Sequence, residues 1–147
     1  FAVMSFLTSL PLIRRIKQKR SIAAPQHAQQ QGAQAMQPTG VCVCFVSVPS
    51  DEVADVITMT LVQSGLAACV NQVPGVTSTY VWQGKLQRDS ETLLIIKTNR
   101  EQLADVAVVV KDKHPFECPE FICMDVGAGL PDYLAWVRST AVPQAPM

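Results

Sequence analysis

Between residues 66 and 98 the chain carries two strand-forming runs, LAACVNQVPGVTSTYVWQ and ETLLIIKT, on either side of the turn signal Gln83-Gly84-Lys85. Alternating β-branched and aromatic residues around such a turn commit the chain to a long antiparallel hairpin. Pro74-Gly75 interrupts the first run as a bulge or bend, because proline cannot donate to a ladder and glycine tolerates the local kink. A two-stranded ribbon that long is expected to reach beyond its own sheet. It would leave Tyr80, Val81 and Trp82 wet and a backbone edge unpaired, which a neighbouring subunit can cover. The three residues are therefore expected at a subunit interface.

The elements around the hairpin are legible from periodicity. VCVCFVSV (41–48) has almost no polar break and reads as a central strand covered on both faces. Ser50 then stands as an N-cap, Asp51 and Glu52 fall in the first turn, Val53, Val56, Ile57 and Leu61 repeat at helical spacing, and Gly65 ends the segment. After the hairpin, Asn99 is expected to cap a second helix carrying Leu103, Val106, Ala107 and Val110, stopped by Pro115. CPEFICMDV (118–126) reads as the last strand. Gly127 and Gly129 break it, and Pro131 starts a terminal helix, PDYLAWVRS. The order βαββαβ plus a helix, with right-handed crossovers, gives an α+β fold of the ferredoxin-like type: a four-stranded antiparallel sheet with helices on one face.

That fold serves many functions, so the sites must discriminate. From residue 41 onward there are 7 basic against 12 acidic residues, a net charge of about −5, which suits no nucleic-acid partner. The central strands also lack the exposed aromatics on which RNA-recognition modules stack bases. The first-strand loop, Val48-Pro49-Ser50, lacks the cysteine pair of a metallochaperone. Cys42, Cys44, Cys69, Cys118 and Cys123 form no CxxC pair and read as reduced thiols, largely buried small hydrophobes. His114 is the one histidine from residue 41 onward, and no nucleophile, base and orienter set is visible. The chain is not expected to be an enzyme.

Residues 1–40 combine an apolar start, the basic cluster Arg14, Arg15, Lys17, Lys19 and Arg20, and a Gln/Ala/Pro-rich run without an acid. They read as an organelle transit peptide followed by a flexible linker. The apolar part is too short and interrupted for a membrane span, which takes roughly 20 residues. The folded domain is expected over 41–140 and a loose tail over 141–147.

Three stretches in order, LAACVNQVPGVTSTYVWQGK, KHPFECPE and PDYLAWV, closely resemble the CutA family, and the resemblance covers residues 41–140. It implies a ferredoxin-like homotrimer whose long hairpins pair with neighbouring subunits, and a link to tolerance of divalent metals, copper in particular. By analogy with leader-bearing plant members, the plastid is favoured over the mitochondrion. The matching histidine in metal-binding members is a proposed copper ligand, joined by a first-strand cysteine and often by a second histidine. Here Val46 and Val48 fill the cysteine positions near Pro49, and Lys113 precedes His114.

Two uses of the stretch KDKHPFECPEF remain open on these residues. His114 can end its helix, bonding free carbonyls of the last turn. Alternatively it can bind Cu(II) weakly with help from Cys118 and Glu120, which strand alternation would place on one face. No cofactor is obligatory. The main alternative function is a trimeric small-molecule sensor like the nitrogen-regulatory PII proteins.

Overall fold

The structure, a computed structural model, describes residues 38–143. The transit-peptide reading and most of the expected tail fall outside those residues. The elements are β1 (Val41–Val48), α1 (Asp51–Gln63), β2 (Cys69–Trp82), β3 (Lys85–Asn99), a 3-10 turn (Arg100–Gln102), α2 (Leu103–Lys113), β4 (Ile122–Asp125) and α3 (Pro131–Thr140). The four strands form one antiparallel sheet in the order β2-β3-β1-β4. This is the α+β, ferredoxin-like arrangement expected.

The local signals act where they stand. The Ser50 hydroxyl accepts a bond from the Val53 N–H at 3.4 Å, satisfying one orphan donor of α1. The same serine bonds the Glu52 carboxylate and holds its pKa down. At the other end Gly65 has φ +72°, and the Leu66 N–H reaches the Leu61 carbonyl while the Gly65 N–H reaches that of Val62. This is a Schellman closure. Between β2 and β3, Gln83 and Gly84 both have positive φ, as a two-residue type I′ turn requires. The register shifts between Val73 and Val76, so Pro74-Gly75 is the expected bulge.

One face of the sheet is dry. Cys44, Val46 and Val48 of β1 and Leu94 and Ile96 of β3 pack against Ile57 and Leu61 of α1 and Val106 and Val110 of α2. Each large aliphatic fully buried there stabilises the fold by about 1.5–3 kcal/mol. The end of the sheet is closed by α3, where Leu134, Val137 and Ala141 meet Val41 and Ala68. On the opposite face Phe45, Leu93 and Ile95 are only partly buried, and Ile122 and Met124 are exposed. The expectation that β1 is covered on both faces is thus corrected: one chain supplies helices for a single face.

Asn99 does not cap the second helix. Its side chain makes no capping bond; instead its Nδ2 donates to the carbonyls of Arg138 and Ala141 at 3.1 and 2.8 Å, tying α3 to the sheet. The last strand is also shorter than expected, beginning at Ile122 rather than Cys118. Pro119 has no N–H to give a ladder, and the edge of β1 beyond Phe45 is already occupied by the side chains described below. Among the described residues, no helix is long and apolar enough to cross a membrane.

Candidate functional site

Strand alternation gives the β2–β3 arm two different sides. Ser78, Tyr80 and Trp82 pair with Asp89, Gln87 and Lys85, so these six share one side, and Glu91 continues it towards the sheet. Val81 and Leu86 lie on the other side and are 67% and 74% exposed. The first side forms one wall of a cleft of ≈ 690 Å³, whose opposite wall is the loop of residues 115–118 with Glu120; Ser47 also lines it. The arm aromatics and the KDKHPFECPEF stretch therefore converge on one place.

The loop is held by a compact set of bonds around the end of β1. In the antiparallel register, Phe45 pairs with Ile122, so Glu120 would come opposite Ser47 if the strand continued. Instead the Ser47 carbonyl lies 2.9 Å from His114 Nε2 and the Ser47 hydroxyl donates to Glu120 at 2.9 Å. The Phe116 N–H donates to His114 Nδ1 at 3.1 Å. An accepting Nδ1 leaves the proton on Nε2, so the imidazole is neutral and donates to Ser47. The His114 and Phe116 rings meet edge to face at 5.0 Å, and Lys111 Nζ bonds the Glu117 carbonyl. His114 is buried and is the C-cap of α2: its backbone N–H donates to the Val110 carbonyl, while its ring reaches a strand carbonyl rather than those of the last turn.

The sequence candidates separate accordingly. Cys118 and Glu120 join Tyr80 and Trp82 in the cleft, whereas Val81 faces away and His114 stands behind the loop. The expectation that Cys118 and Glu120 share a strand face is corrected, because both lie in the loop before β4. Among the described residues, no group of three or more His, Cys, Asp or Glu side chains is placed to hold a metal ion.

Tyr80, Cys42 and Cys44 are shifted towards their neutral forms. The Tyr80 hydroxyl donates to Asp89 at 2.7 Å, which raises the phenol pKa. Burial, reinforced by a hydrogen bond to Asp125, pushes the Cys42 thiol up to about 11. Burial pushes Cys44 up as well, with a contribution from Cys123, whose sulfur donates to it at 2.6 Å. Neutral thiols are neither nucleophiles nor ready metal ligands.

Sequence reasoning missed Glu91. It opens the run ETLLIIKT and passes for an exposed strand start, yet it is 6% exposed and lines the cleft. The available signal was its register: it stands on the same strand side as Leu93 and Ile95, where a charge is out of place unless it faces something polar.

Residues 42–140 match the family model described as CutA1 divalent ion tolerance protein. Over 101 residues the chain is 42% identical to Protein CutA of Mus musculus, covering 69% of this chain and 57% of that protein. It is 42% identical over 98 residues to "Protein CutA, chloroplastic" of Arabidopsis thaliana, covering 67% and 54%. The chain thus spans little more than half the length of these two relatives. Among solved structures, the divalent cation tolerance protein (Cut A1) from Thermus thermophilus superposes with a TM-score of 0.67 at 42% identity, over 68% of this chain and 97% of that one. With the family model spanning about two thirds of the chain, from the first strand to the last helix, the chain belongs to the CutA1 divalent ion tolerance family.

Proposed function

We propose that the chain acts in tolerance of divalent metals as a non-catalytic homotrimer, assembled through its uncovered sheet face and its arm. The observation that carries the assembly is the continuous apolar surface running from Ile122 and Met124, 56% and 58% exposed, across Phe45, Leu93 and Ile95 to the arm. Isolated subunits would leave that surface, and the free edge of β2, in water. Tyr80, Val81 and Trp82 belong to the arm that meets the neighbouring subunits.

Copper binding within this reading is weak. To ligate Cu(II) through Nδ1, His114 must release the Phe116 N–H, at a cost of about 1–3 kcal/mol for the donor left unpaired. Cys118 or Glu120 would then have to swing towards it. Titrating Cu(II) calorimetrically into wild type and His114→Ala measures this. Binding weaker than micromolar, abolished in the variant, is expected; a submicromolar site would contradict it. A plastid location accompanies the reading, supported by the name of the Arabidopsis relative and by the leader-like residues 1–40; fusing those residues to a fluorescent protein tests it.

The function itself is tested by copper tolerance in cells lacking their own CutA protein. Wild type should restore growth, and Met124→Glu, which places a charge on the bare face, should not. Equal restoration by both would remove assembly from the function. Failure of both would remove tolerance.

A further inference from the structure

We infer that Cys44 and Cys123 form an oxidisable dithiol, which a hydroperoxide closes into a disulfide fastening β4 to β1. The two residues stand directly opposite each other in the antiparallel β1–β4 register. The Cα atoms of such a pair lie about 4.5–5.5 Å apart, within the roughly 4.4–6.8 Å that disulfides span, so the bond closes without moving the backbone. Both side chains point to the helical face, where Cys44 belongs to the core and Cys123 packs against it. The Cys123 thiol donates to Cys44 Sγ at 2.6 Å.

The remaining cysteines are not placed to compete. Cys42 shares the strand face with Cys44 but lies roughly 6.7 Å along it with a parallel side chain, and its thiol donates to Asp125 at 3.4 Å. Its diagonal separation from Cys123 is about 7–8 Å, beyond disulfide reach. Cys69 pairs with Lys97, which pairs in turn with Val43, so it belongs to the bare face. Cys118 is exposed in the loop before β4.

Exposure sets the order of events. Cys44 is wholly buried, whereas Cys123 is half-buried on a four-residue strand at the sheet edge. Cys123 therefore meets the oxidant first. With hydrogen peroxide, its sulfur takes one oxygen as the O–O bond breaks, giving a sulfenic acid, and the other oxygen leaves as water with the thiol proton. The Cys44 sulfur then attacks that of Cys123, and the sulfenic hydroxyl leaves with the Cys44 proton as a second water. The two sulfurs together give two electrons to the peroxide. Burial favours the neutral Cys44 thiol, which keeps it from starting the reaction; in the second step the electrophile is already in contact with it. The bond links residues 79 apart in sequence, restricting the unfolded chain, and pins the strand whose other side carries Ile122 and Met124. Both thiols come from one chain and point away from the proposed assembly surface, so the inference does not rest on the trimer.

The test uses the full chain carrying Cys118→Ser, which removes the exposed competing thiol. Reduced protein is treated with hydrogen peroxide, free thiols are alkylated in urea, and a non-reduced tryptic digest is analysed by mass spectrometry. A cross-link between the peptide holding Cys44 and the peptide holding Cys123 is expected, with a single chain mass on a non-reducing denaturing gel. Dithiothreitol should reverse it, Cys123→Ser and Cys44→Ala should each abolish it, and Cys42→Ala should leave it unchanged. Two abolishing variants keep the test decisive if one fails to fold. The cross-linked chain should also unfold at higher urea concentration than the reduced one. The inference would be overturned by both thiols remaining open to alkylation after peroxide, by sulfinic acid on Cys123 without a cross-link, by a cross-link that survives Cys44→Ala or joins two chains, or by an unchanged urea midpoint in the cross-linked chain.

Discussion

The two faces of the same sheet are both rich in apolar side chains but differ in cover. On one, Cys44, Val46, Val48, Leu94 and Ile96 are wholly buried under α1 and α2. On the other, Phe45, Leu93 and Ile95 are half-covered, and Ile122 and Met124 stand exposed. The bare side of VCVCFVSV and ETLLIIKT adds Ser47, Glu91 and Lys97 to its apolar residues, but Phe45, Leu93 and Ile95 still call for cover that is not supplied: 106 described residues provide helices for one side. An apolar strand face without an intrachain cover is a statement about what lies outside the chain. The helical side holds the domain's core, and the bare side, with the arm that continues it, is the surface of the proposed assembly.

Substitutions that empty each side should sharpen that contrast most. In a Met124→Glu background, where assembly is removed, Leu94→Ala should lower unfolding free energy in urea by about 2–5 kcal/mol. Ile122→Ala in the same background should cost under about 1 kcal/mol, as expected for a half-exposed site. Equal losses would mean that the two faces are equivalent within the subunit.

A second comparison separates histidine as fastener from histidine as ligand. His114→Ala strips partners from the Ser47 carbonyl and the Phe116 N–H and should destabilise the metal-free protein by about 1–3 kcal/mol. The neighbouring Lys113→Ala should stay within about 0.5 kcal/mol, as surface substitutions do. A metal-free His114→Ala as stable as wild type would break the fastener account.

The thiols give the smallest effect and report the dry side alone. Folding raises the Cys42 pKa from 9.0 to about 11, so the folded state favours the neutral thiol. That contribution is intact below pH 9.0 and is lost as pH rises towards about 11, because the unfolded chain releases its proton first. Urea midpoints should therefore fall between about pH 9 and 11, less steeply in Cys42→Ala. In native protein at neutral pH, iodoacetamide should modify exposed Cys118 well before Cys42 or Cys44; simultaneous modification would show that the helical side opens readily.

What could be read in advance follows the same division. Ser50, Gly65, the Gln83-Gly84 turn and the Pro74-Gly75 bulge were legible because their physics is local: a cap, a positive φ, a missing donor. Asn99 and the 118–121 segment were not, since each is settled by a distant partner. Asn99 is drawn to the end of α3, and the strand that would have begun at Cys118 is displaced by His114 and Glu120 bonding to Ser47. The cleft was half legible. Its aromatic wall and its loop were each singled out, but their meeting depends on the twist and reach of the arm, and Glu91 looked like an ordinary polar strand start until its neighbours were placed.

The central claim, that the uncovered face and arm form an assembly surface, is tested most directly by sedimentation equilibrium at micromolar concentration. The account predicts three chain masses for wild type and one for Met124→Glu, with helical circular dichroism unchanged between them. A single chain mass for wild type would contradict it.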